Sequence, residues 1–321
     1  ATFRIRGLGT FSSAGTSPLV LIDGISSDLN NINANDIENI SILKDAASAS
    51  IYGTRAANGV ILIETKKGKE GVTKVNYRSN FGIQRPSEIP IIVDSWEYAE
   101  MINEALRNVG SNQQYTEEEI NKFRSGEDQD NYPNKRHYDD LVKTGDGFQM
   151  EHYLNLSGGN NQNSYLFSIG YLNQNGFVDE TNHNHYNILF NANSKVSNSF
   201  KFNVKFQGRT GITSEPTTIR SGEGVDGLLN YALKIPNTIA GKKSDGYYGQ
   251  QTGFTIEGWM DSEAFIKNTS NRMNVSSGFE WDINKFLKLT GLAGYNYDNT
   301  KYKRFWPLLV VDQTYTESPS E

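Results

Sequence analysis

The sequence predicts a small α+β domain followed by an antiparallel transmembrane β-barrel. Three observations lead there. Beyond residue 71, seven segments alternate apolar and polar side chains with a period of two, the pattern of strands with one apolar face. The connections between those segments alternate long and short, as the extracellular loops and periplasmic turns of outer-membrane barrels do. Only 36% of the 321 residues are hydrophobic, yet 12% are aromatic and 35 are Asn, a balance suited to strands that are wet on one side.

Residues 1–71 read as one unit. Phe3-Arg4-Ile5-Arg6 has the character of a mid-strand, with no initiator Met or signal peptide, so the chain is expected to be a piece of something longer. Leu19–Ile22 is a short apolar strand ended by the tight-turn pair Asp23-Gly24. Residues 33–38 offer several helix N-cap residues and an acidic first turn, and Ile40, Ile42 and Leu43 then form a strand. Asp45 caps a short helix over 46–52, which Gly53 stops. Asn58-Gly59 signals a hairpin, Val60–Thr65 is a strongly apolar strand, and the basic stretch 66–71 is a linker.

In residues 72–321 the strand candidates are 74–84, 150–157, 164–171, 186–193, 200–207, 274–281 and 287–296. Each approaches the roughly 9–11 residues that a tilted strand needs to cross a bilayer. Long loops are expected near 85–147, 173–185 and 210–272, and short turns at 158–163, 194–199 and 283–285. The first long loop holds a helix capped by Ser95 and running to about Asn108, and a second in which Thr116 and Glu119 form a capping box. One strand face carries Phe, Tyr, Leu, Ile and Val; the other carries Asn, Lys, Gln and Ser. A barrel turns the apolar face to lipid, whereas a soluble sandwich buries it. Aromatics at strand ends, Tyr171, Tyr186, Phe200, Tyr295 and Tyr297, fit interfacial girdles.

Several function classes fall away. The net charge of −6 argues against a nucleic-acid partner. Without Cys there is no disulfide, thiolate metal site or Cys nucleophile. No apolar run approaches the ~20 residues of a membrane helix. No catalytic constellation stands out, so no enzymatic activity, cofactor or metal is expected. Gly7-Leu8-Gly9 lacks the third glycine and the βαβ setting of a dinucleotide site. His183-Asn184-His185 puts two imidazoles on one face, but reads as a solvated loop. Residues 127–131 are acidic but lack the Gly and bidentate Glu of a calcium loop.

The order of short motifs is more specific. Ile5-Arg6-Gly7 is followed by Leu21-Ile22-Asp23-Gly24, Asn35-Asp36-Ile37-Glu38, Leu43-Lys44-Asp45-Ala46 and Ile51-Tyr52-Gly53-Thr54-Arg55-Ala56-Ala57-Asn58-Gly59-Val60-Ile61. This series resembles the plug domain of the SusC/RagA family of TonB-dependent outer-membrane transporters. Asp94-Ser95-Trp96-Glu97-Tyr98-Ala99 and Gly170-Tyr171-Leu172-Asn173-Gln174-Asn175-Gly176 resemble that family's first loop and early barrel hairpin, while His137-Tyr138 stands where the family has Trp-Tyr.

The resemblance implies a plug (1–71) inside a 22-stranded barrel, of which 72–321 supplies about seven strands, in the outer membrane of a Bacteroidota-like Gram-negative cell. It further implies uptake of an oligosaccharide or peptide, a SusD-like surface lipoprotein as partner, and energy from the TonB-ExbB-ExbD complex. A siderophore- or vitamin-type receptor and a soluble β-sandwich glycan-binding module are the alternatives. Arg6 and Arg55, with Asp23, Asp36, Glu38, Lys44 and Asp45, are candidates for a network holding the plug to the barrel wall; Tyr52 and Asn58 belong to the same plug motifs. Turn formation and capping account more simply for Asp23, Asp36 and Asp45. Tyr247, Tyr248, Phe254 and Trp259 are candidate loop contacts to ligand or partner.

Overall fold

The computed structural model describes residues 17–45, 50–142, 145–218, 223–249 and 255–307. Arg6, Phe254 and most of the helix expected over 46–52 lie outside them.

The first sheet has four strands, β1 (Leu19–Ile22), β2 (Ile25–Ser26), β3 (Ile37–Leu43) and β4 (Val60–Thr65), in the order β2-β1-β4-β3. Strands β1 and β4 are parallel and the other pairs antiparallel. Asp23 (φ 49°) and Gly24 (φ 86°) form the two-residue turn that brings Ile22 opposite Ile25; positive φ at both turn positions is what such a hairpin requires. The near-continuous apolar runs of β1 and β4 follow from burial on both faces. Leu21, Ala56 and Val60 pack on one side, and Ile22, Ile32, Ile61 and Ile63 on the other.

Three local expectations change. Asn58-Gly59 does not turn a hairpin, because β4 is central: it pairs with β1 and β3, and residues 44–59 separate it from β3. A strand apolar on both faces needs two neighbours, which a local hairpin cannot supply. Residues 33–38 form only a 3-10 turn, Ala34–Asp36, capped by Asn33 Oδ1 accepting from Asn35 N at 2.8 Å, since β3 begins at Ile37. Gly53 (φ 66°, ψ −154°) interrupts the 3-10 segment Ser50–Ala56 rather than ending it.

The second sheet is a meander of seven antiparallel strands, each paired with the next in sequence: β5 (Gly71–Ile83), β6 (Phe148–Gly159), β7 (Asn163–Asn175), β8 (Asn182–Lys195), β9 (Phe200–Pro216), β10 (Phe265–Asn284) and β11 (Leu287–Phe305). All seven expected strands are present and all extend beyond their apolar alternation. Asn182, His183, Asn184 and His185, for example, pair with β7 on one side and β9 on the other. A backbone ladder needs no apolar side chains, so it outlasts the pattern that reveals it. The connection expected at 173–185 therefore shrinks to 176–181 and that at 210–272 to 217–264; His183 and His185 stand in a strand, not a loop. The opposite end has the short connections 160–162, 196–199 and 285–286.

The polarity of this sheet is inverted relative to a soluble core. Leu156, Phe167, Phe190, Phe206 and Val275 lie in register across five strands on the open face, with Phe190 39% exposed. The opposite face covers Asn155, Ser168, Asn191, Lys205 and Ser276, with Lys205 only 3% exposed. A soluble sandwich would cover the other face. Outward aromatics cluster at two levels, Tyr171 with Tyr186 and Phe200 with Phe279 and Trp281. Tyr186 lies opposite Thr210, so along β9 the two levels are about 26 Å apart, at ~3.4 Å per residue and ~40° tilt, against an apolar band ~25 Å tall in outer-membrane barrels.

The two longest connections carry the helices. The first holds α1 (Ser95–Asn108), α2 (Glu117–Ser125) and α3 (His137–Leu141), and the last holds α4 (Gly224–Ala232) and α5 (Ile256–Asp261). Asp94, not Ser95, caps α1, with Glu97 Oε2 accepting from its backbone N–H at 2.8 Å. Thr116 and Glu119 form the expected capping box of α2. Both connections contribute to one apolar core through Leu141, Leu228, Tyr231, Ile256 and Trp259. Among the described residues no helix is long and apolar enough to cross a membrane, which says nothing of strands.

Candidate functional site

The first sheet rests against the polar face of the second through hydrogen bonds and an ion pair, and at β11 Ile25 packs over Gly294 and Leu292 lies beside Gly24. Asp23 sits in the β1–β2 turn with its backbone fixed by that geometry. Its Oδ1 accepts from Thr65 N at 2.9 Å and its Oδ2 from Thr65 Oγ1 at 2.6 Å, so β4 aims the carboxylate outward. Oδ2 also receives Lys205 Nζ from β9. Burial pushes the Asp23 carboxyl up, but the Lys205 ammonium and the Thr65 bonds outweigh it and hold it below the usual range.

Asp36 closes the 3-10 turn before β3 and is fully covered. Its Oδ1 accepts from Tyr153 Oη at 2.7 Å and from Ser168 Oγ at 2.5 Å, on β6 and β7. Burial dominates here and raises its pKa, against the lowering effect of those two hydroxyls and the more distant lysines Lys66 and Lys205. Around it, Asn33 Nδ2 donates to Asn187 Oδ1 at 2.9 Å, Arg78 Nη1 to Asn35 Oδ1 at 2.7 Å, and Asn35 Nδ2 to Glu151 Oε1 at 3.2 Å. Asn296 Nδ2 on β11 donates to Ser26 O at 3.0 Å. The turns of the first sheet thus touch both ends of the wall.

The expected network has its charges reversed. Acids on the plug side meet hydroxyls and a lysine on the wall. Arg55, in the 3-10 segment, donates from Nη2 to Ser26 Oγ of the plug at 2.9 Å, and among the described residues it makes no ion pair with the wall. Glu38 is exposed and pairs with Lys69 at 3.3 Å. Lys44 and Asp45 are also exposed, Tyr52 packs beside Leu21, and Asn58 Nδ2 donates to Ser17 O at 3.4 Å. Asp23 does the turn work expected of it and also reaches the wall; Asn33, not Asp36, caps the 3-10 turn, and the Asp36 carboxylate goes to the wall instead. Lys205, Tyr153, Ser168 and Asn187 were not singled out from sequence; their inward parity was legible, but not which inward residues the plug would meet.

The loop aromatics divide. Tyr247 is exposed. Tyr248 Oη donates to Asp261 Oδ2 at 2.5 Å and packs against the loop core. Trp259 is 3% exposed inside that core, so as a surface contact it is corrected: Ile256 and Trp259 are what α5 buries. Nearby, Lys135 lies between Glu257 and Asp140, and His137 Nε2 donates to Ile239 O at 3.0 Å, tying the two long connections together. Burial works against the Glu257 charge, but His137 and Lys135 prevail and bring its pKa down to about 2.

A strand wall apolar outside and polar inside, with a folded domain held on its inner face by polar contacts, defines a plug-and-barrel membrane protein. Comparisons narrow the class. A family profile described as the TonB-dependent receptor plug domain matches residues 1–60. TonB-dependent receptor P26 of Formosa agariphila is 28% identical over 316 residues, covering 95% of this chain and 30% of the relative. TonB-dependent receptor SusC of Bacteroides thetaiotaomicron is 28% identical over 302 residues, covering 87% of this chain and 27% of the relative. The RagAB peptide importer in its closed-closed state superposes with a TM-score of 0.70 at 22% identity, over 90% of this chain and 35% of that one. The chain is a SusC/RagA-like TonB-dependent receptor sequence that spans less than a third of the length of the curated relatives it matches.

Proposed function

We propose that the chain is the plug, residues 1–71, and the beginning of the barrel, from residue 72, of an outer-membrane transporter that imports a large nutrient with energy delivered through TonB. The nutrient is an oligosaccharide or peptide, and a SusD-like lipoprotein closes the outer side over the long connections. The role is transport, without covalent chemistry. The observation that carries the reading is the polar seam between plug and wall. When a plug held mainly by hydroxyls, amides and an ion pair is pulled, water can replace each of those contacts; an interdigitated apolar seam would expose its whole area instead. Breaking Asp23–Lys205 and freeing Asp36 from Tyr153 and Ser168 then opens a lumen already lined with Asn, Ser and Gln. The likeness to SusC, and the fold shared with the RagAB peptide importer, support this reading.

The chain contains no Cys, so Asp23→Cys with Lys205→Cys creates one bridgeable pair within it. In the full-length receptor, a bifunctional thiol reagent across that pair is expected to stop uptake of labelled oligosaccharide or peptide, with reductive release of the bridge restoring it. Uptake that persists through the bridge, or that persists in a strain without TonB, would overturn the proposal.

A further inference from the structure

We propose that the inner wall carries a docking point for an anionic group on the cargo, a carboxylate or a sulfate, centred on Arg209 and Arg272. This rests on the uptake reading above and deepens it. The two arginines stand directly opposite each other on β9 and β10, on the inward face that also carries Lys205 and Ser276. Like charges placed directly opposite destabilise an antiparallel pair, and a local rule broken in this way is expected at functional sites.

Arg272 is engaged, its Nε 3.1 Å from Asp298 on β11. Arg209 has no carboxylate within ion-pair distance among the described residues. The acid that acts on it is Asp28 of the plug, which is partly occupied in capping Asn30 N at 2.7 Å. Between plug and wall at this point lies a cavity of about 250 Å³, its lining including Asp28 of the plug and Gln207, Arg209, Arg272, Asn274 and Asp298 of the wall.

The adjoining strand adds a second feature. Asn187 lies opposite Arg209, and His185, the next inward residue toward the long connections, has a buried Nε2 without a hydrogen-bond partner. His183 follows, its Nδ1 2.9 Å from Thr213 Oγ1. The seam that holds Asp36 reaches Asn187, so Arg209 and Arg272 continue the same inward row past the last plug contact on β8.

The chemistry follows from these parts. Guanidinium forks bind carboxylate and sulfate oxygens two at a time, and a cavity of this size takes one charged group and its immediate neighbour rather than a whole cargo. Asp28 lines the same cavity from the plug side, so an arriving anion shares the field of the two arginines with the plug's own acid. A uronate or sulfate on a glycan and an acidic side chain of a peptide present the same group.

The test is calorimetric titration of the full-length receptor in detergent with octaglutamate, hexagalacturonate, a neutral Gly-Ser octapeptide and maltohexaose. One acidic probe is expected to bind, weakening with salt, and to lose about tenfold or more in Arg209→Gln and in Arg272→Gln, the loss that goes with a hydrogen-bonded charge. Arg209→Lys, which keeps charge but not the fork, should fall between. Which acidic probe binds identifies the source of the charge. Heat-modifiable migration checks that each variant barrel is folded. Unchanged affinity in folded Arg variants, or binding of neutral probes alone, overturns the docking point and leaves the uptake reading standing. Arginine-dependent binding without TonB-dependent uptake overturns only the uptake reading, and no binding by any probe counts against both.

Discussion

The two sheets of this chain solve the same problem with opposite polarity. In β4, Val60, Ile61 and Ile63 are covered by their neighbours, as in any soluble core. In β8, the covered residues are Asn187, Leu189 and Asn191, two of the three polar, and Phe190 beside them is open. Both sheets keep the period or run length that their pairing demands; what differs is the medium beyond each face. The plug sheet is held together by apolar burial within itself, whereas plug and wall are held to each other mainly by polar groups, with Ile25 on Gly294 as an apolar contact. The plug can therefore keep its own core while its attachment is exchanged for water.

The ion pair is where this contrast is most exposed to failure. Asp23→Asn would leave the Lys205 ammonium covered without its counter-charge, and breaking one side of a buried pair destabilises by about 3–5 kcal/mol. Denaturant unfolding of the full receptor, followed by hydrogen exchange across β1 and β4, should show the plug released first. Adding Lys205→Met to Asp23→Asn should recover most of the loss. A plug unchanged by Asp23→Asn would mean that its attachment lies elsewhere.

The outward face provides the next test. Phe190 lies between Phe167 and Phe206. Phe190→Arg is expected to destabilise by about 2–4 kcal/mol if this row faces the lipid midplane. Refolding into lipid vesicles measures it. An Arg tolerated there would place the apolar face against something other than hydrocarbon.

Much of this was legible in the sequence, and the limits have physical causes. Alternation revealed all seven wall strands because lipid outside and water inside impose opposite demands on neighbouring residues. It stops short of their ends, where both faces are wet and the ladder alone persists, so alternation alone makes His183 and His185 look like loop. Asp23-Gly24 gave its turn, since φ > 0 at both positions is a local demand, but Asn58-Gly59 misled because the partners of β4 are distant in sequence. At the site, Asp23 and Asp36 stood out through their motifs. Lys205, Tyr153 and Ser168 did not, since which inward residues meet the plug depends on how two sheets dock. Trp259 illustrates the converse: a loop tryptophan suggests a binding surface until the loop is seen to need a core.

Asp36 gives the smallest and most discriminating test, because it differs from Asp23 in sign. The Asp23 carboxyl is held below its ordinary pKa of 3.8, so its contribution is present above that value and is lost as the pH falls through the lowered folded value. The Asp36 carboxyl is raised, so its protonated form is favoured in the folded state; that contribution is present below 3.8 and is lost as the pH rises through the raised folded value. Asp36→Asn keeps an uncharged acceptor for Tyr153 and Ser168 and imitates the protonated acid. The variant is expected to lie within about 1 kcal/mol of the parent, and to remove the part of the pH dependence that weakens the plug as the pH rises above 3.8. Hydrogen exchange at β3, compared between pH 4 and pH 7 in parent and variant, reads this directly. If the two show the same slope, the charge on Asp36 does not govern the seam, and the ion pair at Asp23 carries the attachment alone.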